Sequence, residues 1–180
     1  MTENTLPDGR PRPARARDAE PKTKRAAPRA SRTLPVAREA FVAAIARDTA
    51  GTDRPRLVKV LDALVAWSVA RPAALRFRTD EKRGDVLAFE LVATGEVFWS
   101  AIAVRGASPT LEFHVPAGRP RTDEDRAAVM QTLNAHSRGV LVEGDRLRIG
   151  FGALKNDAAR AAVLAAMQQL LMNADAPAPA

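Results

Sequence analysis

Cysteine is absent from the 180-residue chain, which excludes disulfides, thiolate catalysis and Cys-ligated zinc or iron–sulfur centres. Only two histidines occur, His114 and His136. They sit in unrelated contexts with no His-x-x-x-His or comparable spacing, so neither a metal site nor a cofactor is expected. No stretch approaches the roughly 18 consecutive apolar residues of a membrane span, and the first residues lack the apolar core of a secretory signal. The expectation is a cytoplasmic protein without membrane association. The basic start superficially suits a transit peptide, but its six prolines argue against the amphipathic helix such peptides form.

Charge is present in plenty and is unevenly spread. The whole chain carries +7. Residues 1–35 hold nine cations, Arg10, Arg12, Arg15, Arg17, Lys22, Lys24, Arg25, Arg29 and Arg32, against four acids, giving +5 and leaving +2 for everything after. The same 35 residues contain six prolines, and their only large aliphatic side chains beyond Met1 are Leu6 and Leu34. With so little apolar surface to offset the entropy of ordering, this segment reads as a disordered basic Arg/Pro/Ala-rich tail. An extended cationic segment attracts DNA or RNA by releasing condensed counterions, and an acidic protein by the same charge. The tail lacks aromatics on which bases could stack, so any such affinity is weak and sequence-independent. A purely solubilising tail explains the same composition.

The remaining 36–173 reads as one α+β domain, followed by an Ala/Pro tail over 174–180. Apolar positions at three- and four-residue spacing from Val36 to about Thr49 predict a helix. A second helix follows Gly51, with Thr52 or Asp53 as cap and Pro55 in its first turn, and runs to about Ala70 with Leu57, Leu61, Leu64, Val65 and Ser68 on one face. The period then changes to two: Leu75/Phe77, Leu87/Phe89/Leu91 and Leu111/Phe113/Val115 alternate with polar or small residues. The nearly continuous apolar run Val97–Val104 suggests a central strand. These segments predict an antiparallel meander of about four strands. A helix opening at Thr122-Asp-Glu-Asp125, a hairpin around Glu143-Gly144-Asp145 and a last helix capped at Asn156 or Asp157 complete the order α-α-β-β-β-β-α-β-β-α.

Few motifs carry chemistry. Gly150-Phe-Gly152 lies between a strand and a helix but lacks the third glycine of a dinucleotide fingerprint, and reads as a tight turn. No serine lies in a nucleophile elbow, and Ser100 is expected to hydrogen-bond inside the sheet. The acids Asp80, Glu81, Asp85 and Glu90 around the first hairpin are mixed with Lys82 and Arg83 and read as a solvated tip. Arg71, Arg76, Arg78, Lys82 and Arg83 form the candidate phosphate patch of the domain, with Glu90 as a competing cross-strand partner. Phe98-Trp99 places two large aromatics on successive strand positions, expected on opposite faces. An exposed member marks a surface for a protein partner or a second copy of the chain, whereas a covered one is core. The leading functional expectation is a non-enzymatic binding module. A small enzyme assembled from sequence-distant residues and a homodimeric adaptor stay open beside it.

Overall fold

The spacing of Ala37, Phe41, Ala44 and Ile45 gives α1 (Leu34–Asp48) a single buried stripe. The computed structural model describes residues 33–49, 51–78, 85–114, 123–136, 141–143 and 146–174, all within the unit Ser31–Ala180. Helix α1 begins two residues before the expected Val36, because Pro35 occupies the first turn, where a missing N–H forfeits no intrahelical bond. Leu34 and Pro35 therefore belong to the domain, not to the tail. In α2 (Arg54–Val69), with Pro55 in its first turn, Leu57, Val60, Leu61, Leu64 and Ser68 are buried. Asp53 stands at the cap position but makes no capping bond; its carboxylate instead meets Lys155 Nζ at 2.8 Å. Asn156 does cap α4 (Asp157–Ala174): its Oδ1 accepts from the N–H groups of Ala158 at 2.8 Å and Ala159 at 3.4 Å.

Between α2 and α4 run β1 (Leu75–Phe77), β2 (Val86–Leu91), β3 (Val97–Ile102), β4 (Thr110–His114), α3 (Asp123–His136), β5 (Leu141–Glu143) and β6 (Arg146–Gly150). The fold is α+β. The strands form one six-stranded sheet in the order β1-β2-β3-β4-β6-β5, with every pair antiparallel. The expected four-strand meander is thus part of a larger sheet, because the later hairpin returns β6 to the side of β4. The apolar β3 is central, as its continuous pattern predicts. A single 3-10 turn, Ala153–Lys155, links β6 to α4. Residues 1–32, 79–84, Val115, Thr122, Gly144, Asp145 and 175–180, on which several of the sequence expectations fall, lie outside the described residues.

One apolar cluster holds these elements together. Trp99 stacks on Phe89 with ring centroids 5.1 Å apart. Its Nε1–H donates to Ser68 Oγ at 2.9 Å, and that hydroxyl donates to the Leu64 carbonyl at 2.9 Å. This chain of bonds sets α2 on the Trp99 face of the sheet. Helix α1 packs beside α2 and brings Phe41 to Phe151, while α4 lies against α2 and α3 against α4. The β2–β3 ladder slips at Phe89/Glu90, where Trp99 pairs with Phe89 but Val97 pairs with Glu90. Phe98 is the extra residue of this bulge, which interrupts strict alternation. Phe98 and Trp99, 1% and 0% exposed, both join the core cluster, so the opposite-face expectation fails at this residue pair. Among the described residues, no helix is long and apolar enough to cross a membrane.

Candidate binding surface

Successive side chains of a strand point to opposite faces, and the register fixes which polar residues gather behind the core. Ala88 pairs with Ser100, Ser100 with Glu112, and Glu112 with Arg148. The N–H of Arg78 donates to the Ala88 carbonyl at 3.0 Å, extending this row to the end of β1. A second row contains the pairs Arg76–Glu90 and His114–Arg146. These positions alternate with Leu87, Phe89, Trp99, Leu111, Phe113, Leu147 and Ile149, which are core. None of the nine polar or small residues of these two rows belongs to the core cluster. Residues from five strands, β1, β2, β3, β4 and β6, thereby share one face.

The face is strongly ion-paired. Glu112 is only 3% exposed, and a buried carboxylate requires compensating charge. Arg148 Nε lies 2.6 Å from its Oε1, and Arg146 Nη1 lies 3.9 Å from its Oε2. Arg76 Nε donates to Glu90 Oε1 at 2.6 Å. Ser100 Oγ and His114 Nε2 are 3.4 Å apart. Burial pushes the His114 pKa below the ordinary histidine value, and the positive charges of Arg146 and Arg78 push the same way, with Glu112 opposing. Four arginines accompany two glutamates, so the face carries an excess of two positive charges.

The described residues of this face hold neither a nucleophile–base–orienter set nor a metal-ligand cluster. A serine nucleophile needs a base that is itself oriented by a third group, but among the described residues no carboxylate hydrogen-bonds the His114 imidazole. Glu112, the nearest candidate on the same strand, is held by arginines instead. Among the described residues there is no cluster of three or more His, Asp or Glu side chains able to hold a metal ion. Gly150 and Gly152 have no positive φ, and Phe151 between them is buried, in keeping with a strand-to-helix turn.

Of the proposed phosphate patch, Arg76 and Arg78 lie on this face. Arg71 does not join them: its Nε donates to Gln168 Oε1 of α4 at 2.8 Å and its Nη1 to the Trp67 carbonyl at 2.7 Å. Lys82, Arg83 and the nine tail cations lie outside the described residues. Phe98 and Trp99 are core and offer no exposed aromatic surface. The residues that sequence reasoning failed to group are Ser100, Glu112, His114, Arg146 and Arg148. The alternations Leu111-Glu112-Phe113-His114 and Arg146-Leu147-Arg148-Ile149 contain the signal, but using it requires the β4–β6 pairing. No known protein family, curated protein or solved structure matches this chain.

Proposed function

We propose that the chain is a cytoplasmic, non-enzymatic binding module that engages the phosphates of nucleic acid through the polar face of its sheet, assisted by the basic N-terminal segment. The observation that carries this reading is the gathering of Arg76, Arg78, Arg146 and Arg148 on one face, with charge in excess of Glu90 and Glu112. Arginine recognises phosphate bidentately and stays charged at any relevant pH. No Phe or Trp is exposed among the described residues, so bases find no stacking platform and binding is expected to depend little on sequence. Both edge strands, β1 and β5, are three residues long, which limits edge-to-edge association as a competing use of the sheet.

Fluorescence anisotropy with single- and double-stranded 30-mers over a salt series tests the proposal. Three full-length proteins are compared: the natural chain, one with the nine tail cations changed to Gln, and one carrying Arg78→Gln and Arg146→Gln. Each phosphate-contacting arginine removed should lower the slope of log K against log salt by about one. Salt-insensitive binding, no binding at low salt, or a sheet-face variant with an unchanged slope overturns the assignment to this face.

A further inference from the structure

Arg71 occupies an environment distinct from the sheet-face arginines. It closes the C-terminal turn of α2, where its guanidinium carbon lies 4.1 Å from the centre of the Trp67 ring. Its two hydrogen bonds go to neutral acceptors, the Gln168 side-chain amide and the Trp67 carbonyl. Among the described residues, no carboxylate forms an ion pair with it. A guanidinium has five N–H donors, so stacking and two bonds fix its plane while leaving donors uncommitted. Beside it lies an open cleft of about 300 Å³ between the end of α2 and α4, lined mainly by apolar atoms of Pro72, Ala73, Leu171 and Met172. Met172, at the rim of the cleft, is 64% exposed.

A cation held in place and facing no carboxylate among the described residues, next to an apolar cleft, matches a ligand that is itself an anion joined to an apolar group. Arginine's planar fork favours carboxylate, and the remaining lining offers few polar partners for anything larger and more heavily charged. The modest size of the cleft suits a short acyl chain or one side chain as the apolar part. We propose that this cleft binds a carboxylate carried on a short aliphatic group, with Arg71 as its ion partner, Gln168 and Trp67 as the groups that hold Arg71 in place, and Leu171 and Met172 as the apolar wall. The carboxylate belongs either to a small acid or to the end of a protein chain ending in an aliphatic residue.

The test uses the full chain, titrated with octanoate and with octanamide, and in a second arm with acetyl-Ala-Ala-Leu as free acid and as C-terminal amide. Calorimetry gives affinities, and amide-resonance shifts locate the binding. In at least one arm the acid should bind tenfold or more tightly than its amide, with shifts centred on residues 70–74 and 168–172. The arm that responds identifies the source. Arg71→Gln should abolish the preference for the acid. Because that change also removes bonds at the end of α2, Ala73→Phe serves as a second variant: it fills the cleft, leaves Arg71 intact, and should weaken both acids at least tenfold. Equal affinity for acid and amide in both arms, no binding in either, or shifts elsewhere overturns the proposal. Nucleic-acid affinity should be unchanged in Ala73→Phe, which separates this site from the sheet face.

Discussion

Replacing Ser68 by alanine removes two heavy-atom contacts of unequal importance. Ser68 and Trp99 are both 0% exposed, and the serine hydroxyl is the partner of Trp99 Nε1–H at 2.9 Å. In Ser68→Ala the indole donor stays buried with no acceptor, at a cost of about 1–3 kcal/mol. The bond from the hydroxyl to the Leu64 carbonyl is also lost, but that carbonyl lies within α2 and has its helical partner. Alanine returns about 0.5 kcal/mol as the better helix former. The net expectation is a loss of about 1.5 kcal/mol, a substantial part of the roughly 5–15 kcal/mol that holds a typical domain together. Urea denaturation followed by circular dichroism measures it, and the slope of the transition should not change. Trp99→Phe supplies the control, because it removes the donor. In that background Ser68→Ala should cost no more than about 0.5 kcal/mol, leaving a coupling of about 1 kcal/mol between the two sites. The same loss in both backgrounds would show that the hydroxyl matters through packing or the helix alone, and the reasoning would be refuted.

Four further outcomes follow from the same structure. Glu112→Ala leaves Arg148 and Arg146 without their buried counter-charge. Because Arg148 is about one-third exposed (34%) and can reach water, the loss should be about 2 kcal/mol, below the 3–5 kcal/mol of a fully buried pair, and a loss under about 0.5 kcal/mol in urea would contradict the burial of this carboxylate. The lowered pKa of His114 means that the folded state disfavours the imidazolium. The corresponding stability is present above the unfolded value near 6.5 and is lost as pH falls below it toward the folded value, so the natural protein should lose more stability than His114→Gln between pH 7.5 and 5.5, and the imidazole should titrate by NMR below 6.5. Gly106 has φ +73° and open space where a Cβ would stand, so Gly106→Ala should cost about 1 kcal/mol from backbone conformation alone, with Gly106→Asn costing less; equal stabilities would rule out the left-handed turn. The half-exposed pair Arg38–Asp62, bonded at 2.7 and 2.9 Å, should yield less than about 1 kcal/mol on Asp62→Asn, checked by the same denaturation.

The fold was legible wherever a local period decided it. The stripe of Phe41, Ala44 and Ile45, the face of Leu57, Leu61, Leu64 and Ser68, and the alternations through Leu87, Phe89 and Leu91 require no knowledge of distant partners, and each falls on the expected element. Misplaced details have specific physical causes. Pro35 looks like part of a proline-rich tail, yet proline is equally at home in the first helical turn, and nothing local separates the two roles. Asp53 has the chemistry of a cap, but Lys155, a hundred residues away in sequence, competes for its carboxylate. Unbroken alternation divides Phe98 and Trp99 between two faces, but a bulge is a property of a strand pair, not of one strand.

Sites posed a harder problem for the same reason. Arg76 and Arg78 could be assigned to one face from their spacing, and Glu90 could be named as a cross-strand partner because β1 and β2 are joined by a short connection. Arg146 and Arg148 share the same alternation, but their membership in that face depends on β6 lying beside β4, with α3 and β5 between them in the chain. The hairpin could as well have extended the other edge of the meander, beside β1, where the arginines would stand next to Arg76 and far from Glu112. Instead, Glu112 receives two cations on one side and Ser100 on the other. The strand order therefore determines both which carboxylate can be buried and where the excess positive charge collects. Arg71 illustrates the converse: it lies five residues from Arg76, yet the end of α2 intervenes and directs it to Gln168 on α4. Proximity in sequence grouped Arg71 with the wrong arginines, and separation in sequence hid the right ones.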